Sequence, residues 1–376
     1  MTQIKPYVPG PPSAIAEMPS VPLLTVRSLR EIEAYDAPLG DLILENGYLV
    51  KGERTSMLGQ GGLGKSRLSL QLAMCCRAGV DFLGWSTSGQ ELRWLFLQTE
   101  NGNRRLQYDL QKMRGGFSKD AWPDIQDGVF MHTLEGEVDG ILLLDRKEHF
   151  DRASDAIERC AADVVVVDPL RDLHSGSLND DSEMNEACRN IALLMRAGGR
   201  TDRACIVLHH ARTGSAGISK STGYDRADFG RNSKVLHGWT RAQINLAPGS
   251  PDDCELLVVA SGKNNNFQEF APLAIRLDPD LMLYYPDPSF DLETWKEGVE
   301  GAKRTSQVTE EQIREAIKAA EGKIEKKDLV TKLRQQTGLG QRKVEDAVKS
   351  HLGGLIWEVK EPRSGKRDAV FIALKP

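Results

Sequence analysis

No stretch of the sequence stays apolar for the roughly 20 residues a helix needs to cross a bilayer. Residues 1–22 hold neither an apolar core nor a cleavage-like site, so no export signal is read there. The expected location is cytoplasmic, with no membrane partner. Cysteine is sparse and unpatterned: Cys75 and Cys76 are adjacent, while Cys160, Cys188, Cys205 and Cys254 are scattered without the paired spacing of a metal site. They are expected to be core thiols. A large net charge is missing too, but the value of -5 conceals a division. Residues 301–376 carry 17 Lys and Arg against 11 Asp and Glu, whereas residues 1–300 carry 32 against 43. A basic tail on an acidic body suits a polyanion at the C-terminal part, or contact between the two parts.

What is present points to phosphate chemistry. Gly59-Gln60-Gly61-Gly62-Leu63-Gly64-Lys65-Ser66 fits the pattern G-x-x-x-x-G-K-[ST], and a chain entering a buried strand precedes it. The next residues, Arg67 to Met74, have the apolar spacing of a helix packed on a sheet. Glycines let successive amide N–H groups point inward, and the helix N-terminus adds its positive end, so such a loop holds a polyphosphate. Residues Gly59 to Arg67 are thus candidates for binding ATP. Lys65 would reach the β- and γ-phosphates and Ser66 would take a coordination site on Mg2+.

At 376 residues, with 40% hydrophobic and 27% charged residues, the chain suits a large soluble domain plus a small one. Residues 1–23 contain six prolines and read as an extended arm, either plain disorder or a strap for a neighbouring subunit. A short amphipathic helix follows within residues 24–35, with Leu29 and Ile32 on one side.

Two buried strands are expected to deliver carboxylates to the loop. Leu92 to Thr99 is followed by Glu100, which either activates the water attacking a γ-phosphate or caps the helix starting near Asn103. Asp163-Val164-Val165-Val166-Val167-Asp168 has the form of a Walker B strand, with Asp168 holding the metal shell or capping a helix. Another buried strand, Ala204 to Leu208, ends at His209-His210. Adjacent histidines point to opposite sides of an extended chain, so at most one faces the crevice, as γ-phosphate sensor or as core residue.

Residues 213–229 read as a long loop in which Lys220, Tyr224 and Arg226 offer cations and a stacking ring to nucleic acid, or simply form flexible chain. Arg231 and Lys263 sit at element ends, where each reaches a phosphate or is a solvated charge.

In combination, Gly59–Ser66, Leu97-Gln98-Thr99-Glu100, Val166–Arg171, Leu208–Ala211, Gly230–Ser233 and Ser261–Asn264 resemble the RecA-type ATPase core of plasmid RepA-like hexameric replicative helicases. The resemblance spans residues 36–278. It implies an α/β RecA-like P-loop NTPase core, a mainly parallel sheet flanked by helices, over residues 24–286. It also implies Glu100 as catalytic carboxylate, Asp168 at the metal and His210 as sensor, with Arg231 and Lys263 reaching ATP on the adjoining subunit. Partners would be single-stranded or forked DNA, further copies in a hexamer, and other replication proteins.

The chain departs from that family after Pro286. Residues 287–307 read as a linker to a further unit of three helices and two strands over 308–376. That unit resembles a winged-helix domain. Its third helix would offer Arg342, Lys343 and Lys349, and its wing Arg363, Lys366 and Arg367, to DNA, or the module binds protein. Three functions remain open: an ATP-driven helicase or translocase of a plasmid, phage or mobile element; a DNA-binding regulatory or recombination ATPase without unwinding; and a small-molecule phosphotransferase.

Overall fold

A computed structural model describes residues 25–36, 38, 40–136, 140–212, 215–223, 226–230, 234–305, 308–337, 339–363 and 366–375. Side chains of residues 213–216, 300–307 and 361–368 also lie outside the description. The chain divides into residues 1–39 and residues 40–376. Of the first unit, the proline-rich arm lies outside the described residues. Its helix, Leu29–Glu33, is shorter than expected and is closed by a reciprocal cap in which the Ser28 and Glu31 side chains bind each other's backbone N–H.

The second unit is organised on a nine-stranded sheet. Its order is Leu283–Pro286, Leu273–Asp278, Leu256–Asn264, Ala242–Pro248, Arg54–Gly59, Ala204–His210, Val164–Asp168, Trp94–Gln98 and Val129–Met131. The six strands from Ala242–Pro248 to Val129–Met131 pair in parallel, and the first three are antiparallel. The valine run explains why helices cover both faces. Val164 and Val166 enter one core with Leu68 and Leu72 of the helix Lys65–Ala78, while Val165 and Val167 enter the other with Ile157 and Ile191. Side chains alternate along a strand, so a run without polar interruption needs an apolar layer on each side.

Beyond the sheet, residues expected to form a linker instead contain the helix Leu292–Thr305. Trp295 anchors it by packing against Ala247 and Val258 and donating its indole N–H to Pro248 O at 3.2 Å. The stretch expected as an open loop, residues 213–229, holds the short helix Ser215–Ile218 and a 3-10 turn at Arg226–Asp228. Four cysteines are core thiols as expected, with burial pushing Cys75, Cys188 and Cys205 up to about 12. Cys160 is half-buried, and Cys254 is exposed, contrary to expectation.

The C-terminal part runs helix Glu310–Lys318, strand Lys323–Glu325, helices Lys326–Thr337 and Gln341–Ser350, then strands Ile356–Arg363 and Lys366–Leu374. The last strand lies between the other two. Ile313, Ile317, Leu329, Leu333, Val344, Val348, Ile356 and Ile372 form its own core. Thr309 and Gln312 make a reciprocal cap, while the short first strand carries no signal in the sequence pattern.

Candidate nucleotide site

The strand Arg54–Gly59 feeds a glycine loop into the helix Lys65–Ala78. Gly64, the residue before that helix, has φ +81°, and a Cβ there would collide with the Tyr284 hydroxyl. Only glycine meets both conditions. Lys65 follows, largely buried, with its ammonium donating to Gly59 O at 3.0 Å and Gln60 O at 2.9 Å. Burial lowers its pKa, opposed by the carboxylates of Asp168 and Glu100.

Register then brings the other groups to the same edge. The strand ending in Asp168 lies beside that ending in Gln98, with Gln98 opposite Asp168 and Glu100 just beyond. On the other side, His210 pairs in register with Gly59. These C-terminal strand ends enclose a cavity of about 260 Å3 lined by Lys65, Ser66, Arg67, Glu100, Asp168 and His210, among others. The imidazole of His210 stands against Gly61, 3.8 Å from where a Cβ would be. His209 is buried. Only the second of the adjacent histidines therefore lines the cavity, as the alternation of an extended chain requires.

Asp168 is only 4% exposed. Burial raises its pKa to about 6, with Glu100 and Asp172 adding to the rise, while a hydrogen bond from the Ser66 hydroxyl and the charge of Lys65 oppose it. A buried carboxylate beside a hydroxyl at the end of a phosphate loop is a donor set suited to Mg2+, which favours oxygen ligands. Glu100 is more open, its side chain 44% exposed, with Arg171 at 3.9 Å. It does not cap the following helix: the cap of Asn103–Met113 is Gly102. Arg67 forms an ion pair with Asp109 at 3.2 Å, and Arg105 reaches the same carboxylate at 3.1 Å.

The remaining candidates lie elsewhere. Lys263 donates to His237 O at 2.9 Å and Thr240 O at 2.8 Å, and burial lowers its pKa. Arg226 pairs with Glu269 at 2.6 Å and Lys220 with Asp228 at 3.5 Å, so both are held by acids of their own chain. Tyr224 and Arg231 lie outside the described residues, as do the side chains of Arg363, Lys366 and Arg367. Arg342, Lys343 and Lys349 are exposed on the helix Gln341–Ser350. Sequence reasoning missed Arg105 and Asp109, four apart on one helix, and Tyr284 on the distant strand Leu283–Pro286, none of which carries a motif. It also missed a larger apolar cavity of about 590 Å3 that shares Leu70, Leu106 and Met131 with the phosphate cavity.

Loop, strand order and convergent acids define a P-loop nucleotide-binding protein. A family model described as an AAA domain matches residues 20–216, more than half of the chain, and the chain belongs to that family. Similar solved structures include a KaiC-like protein, PH0186, of Pyrococcus horikoshii OT3, at 14% identity and TM-score 0.43, covering 67% of this chain and 98% of that one. The ATPase domain of G40P is similar at 12% identity and TM-score 0.43, covering 68% and 94%.

Proposed function

We propose that the protein hydrolyses ATP with Mg2+ and couples turnover to movement along DNA, as a helicase or translocase of the RepA-like type assembled in a hexameric ring. The observation that carries the hydrolytic reading is the meeting of Lys65, Ser66, Glu100, Asp168 and His210 around one cavity. The loop amides and Lys65 would hold the β- and γ-phosphates, while Ser66 and Asp168 would hold Mg2+, which when bound neutralises charge on the phosphate oxygens.

Glu100 is the base in this reading. A water oxygen attacks the γ-phosphorus as its proton passes to the Glu100 carboxylate. The bond from that phosphorus to the bridging oxygen breaks, its electron pair leaving with ADP. His210, beside Gly61, is placed to read whether the γ-phosphate is present. Arg231 and Lys263 would act on ATP of the adjoining subunit. For Lys263 that requires release from the carbonyls of His237 and Thr240.

Three helices and the paired strands Ile356–Arg363 and Lys366–Leu374 support the winged-helix reading of the C-terminal part, with Arg342, Lys343 and Lys349 exposed on the third helix. We assign it to DNA contact on that basis. The test compares ATP turnover with and without single-stranded DNA, then strand separation on a forked duplex. DNA-stimulated turnover with ATP-dependent unwinding supports the reading. Stimulation without unwinding leaves a regulatory or recombination ATPase, and turnover indifferent to DNA contradicts a DNA motor.

A further inference from the structure

Gln98 ends the strand Trp94–Gln98, two residues before Glu100, and is 1% exposed. Its side chain is fully engaged. The amide oxygen accepts the backbone N–H of Glu100 at 3.2 Å and of Asn101 at 2.7 Å. The amide nitrogen donates to Asn101 O at 2.9 Å and to His132 O at 2.7 Å. A primary amide has two donor hydrogens and two acceptor lone pairs, and here all four go to backbone groups. A flipped amide would set its nitrogen against two N–H groups and its oxygen against two carbonyls, so the neighbours fix its orientation. His132 follows the edge strand Val129–Met131, and its N–H continues the ladder to Phe96 O at 2.9 Å, while its Nδ1 lies 2.7 Å from Gln98 O.

We infer that Gln98 is the positioning residue for Glu100: its amide clamps the turn that carries the carboxylate and ties that turn to the edge strand through His132. The inference rests on the reading of Glu100 as the base. The Glu100 side chain gains little anchorage of its own, since its ion pair with Arg171 spans 3.9 Å. The backbone beneath it therefore sets where the carboxylate sits, and the residue after Asn101 is Gly102, which resists bending least. A base displaced by about 1 Å loses on the order of 100-fold in rate. Gln98 does not line the phosphate cavity, so its loss acts on turnover and not on nucleotide affinity.

The test is a double-mutant cycle on the full chain with Gln98→Met, which keeps volume and removes the four hydrogen bonds, Glu100→Gln, and the pair. The expected result is a kcat lowered by roughly 10–100-fold in Gln98→Met, with the nucleotide Kd unchanged and no further loss when Gln98→Met is added to Glu100→Gln. Wild-type kcat in Gln98→Met overturns the inference, as does an equal loss with and without the Glu100 carboxylate. Wild-type turnover in Glu100→Gln overturns instead the assignment of the base, and is read from the single variant alone. If Gln98→Met does not fold, amide exchange in the wild-type protein decides: the Glu100 and Asn101 N–H groups should be protected, and free exchange at both contradicts the clamp.

Discussion

Ser66, in the first turn of the helix after the phosphate loop, and Asp168, at the end of the valine strand, line one cavity, and the serine hydroxyl opposes the rise in the pKa of the carboxylate. Neither residue is near the other in sequence, and they meet because a single strand, Ala204–His210, separates theirs in the sheet. The pair forms the oxygen-rich end of the phosphate cavity.

Glu100→Gln tests the base. It keeps size and removes the proton acceptor, so nucleotide should still bind while kcat falls by about 100- to 10,000-fold, the usual worth of a general base. Steady-state turnover and a binding titration with a fluorescent nucleotide read the two quantities separately. Unchanged turnover removes Glu100 from catalysis.

Asp168→Asn should stabilise the nucleotide-free protein at neutral pH. The folded pKa of about 6 lies above the ordinary 3.8, so the folded state binds the proton more tightly than the unfolded chain. The penalty for the buried charge is therefore complete above about pH 6 and fades as pH falls toward 4. Two pK units correspond to about 3 kcal/mol as an upper figure. Thermal melts should show the variant more stable at pH 7.5, with the gap narrowing at pH 5. A less stable variant at pH 7.5 contradicts this.

Mixing subunits tests the shared site. Arg231→Ala and Lys65→Ala proteins, each inactive alone, should regain some turnover together if the finger acts across an interface. No recovery in a mixture shown to co-assemble counts against that geometry.

Charge reversal tests the C-terminal helix. Arg342→Glu with Lys343→Glu should weaken duplex binding and lower the slope of log K against log salt by about two, because each cation that neutralises a phosphate adds close to one to that slope. Binding with an unchanged slope would place DNA elsewhere.

Much of the sheet was legible because its signals are local. The glycine loop, the run Val164 to Val167 and the alternation at His209 and His210 each fix a conformation within a few residues. The C-terminal helices were legible for the same reason, since Thr309 and Gln312 announce a cap. What stayed hidden depends on distant partners. Trp295 makes a helix out of an expected linker by finding Ala247 and Val258. Arg226 looked like a free cation until folding brought Glu269 to it. Gln98 stood inside a recognised motif, yet its role is visible only once His132 arrives from the edge strand.

The most direct measurement is ATP affinity with and without Mg2+ in wild type, Ser66→Ala and Asp168→Asn. If the two side chains together hold the metal on the nucleotide, Mg2+ strengthens binding in wild type and does so much less in either variant. Full Mg2+ enhancement in both variants would contradict that assignment.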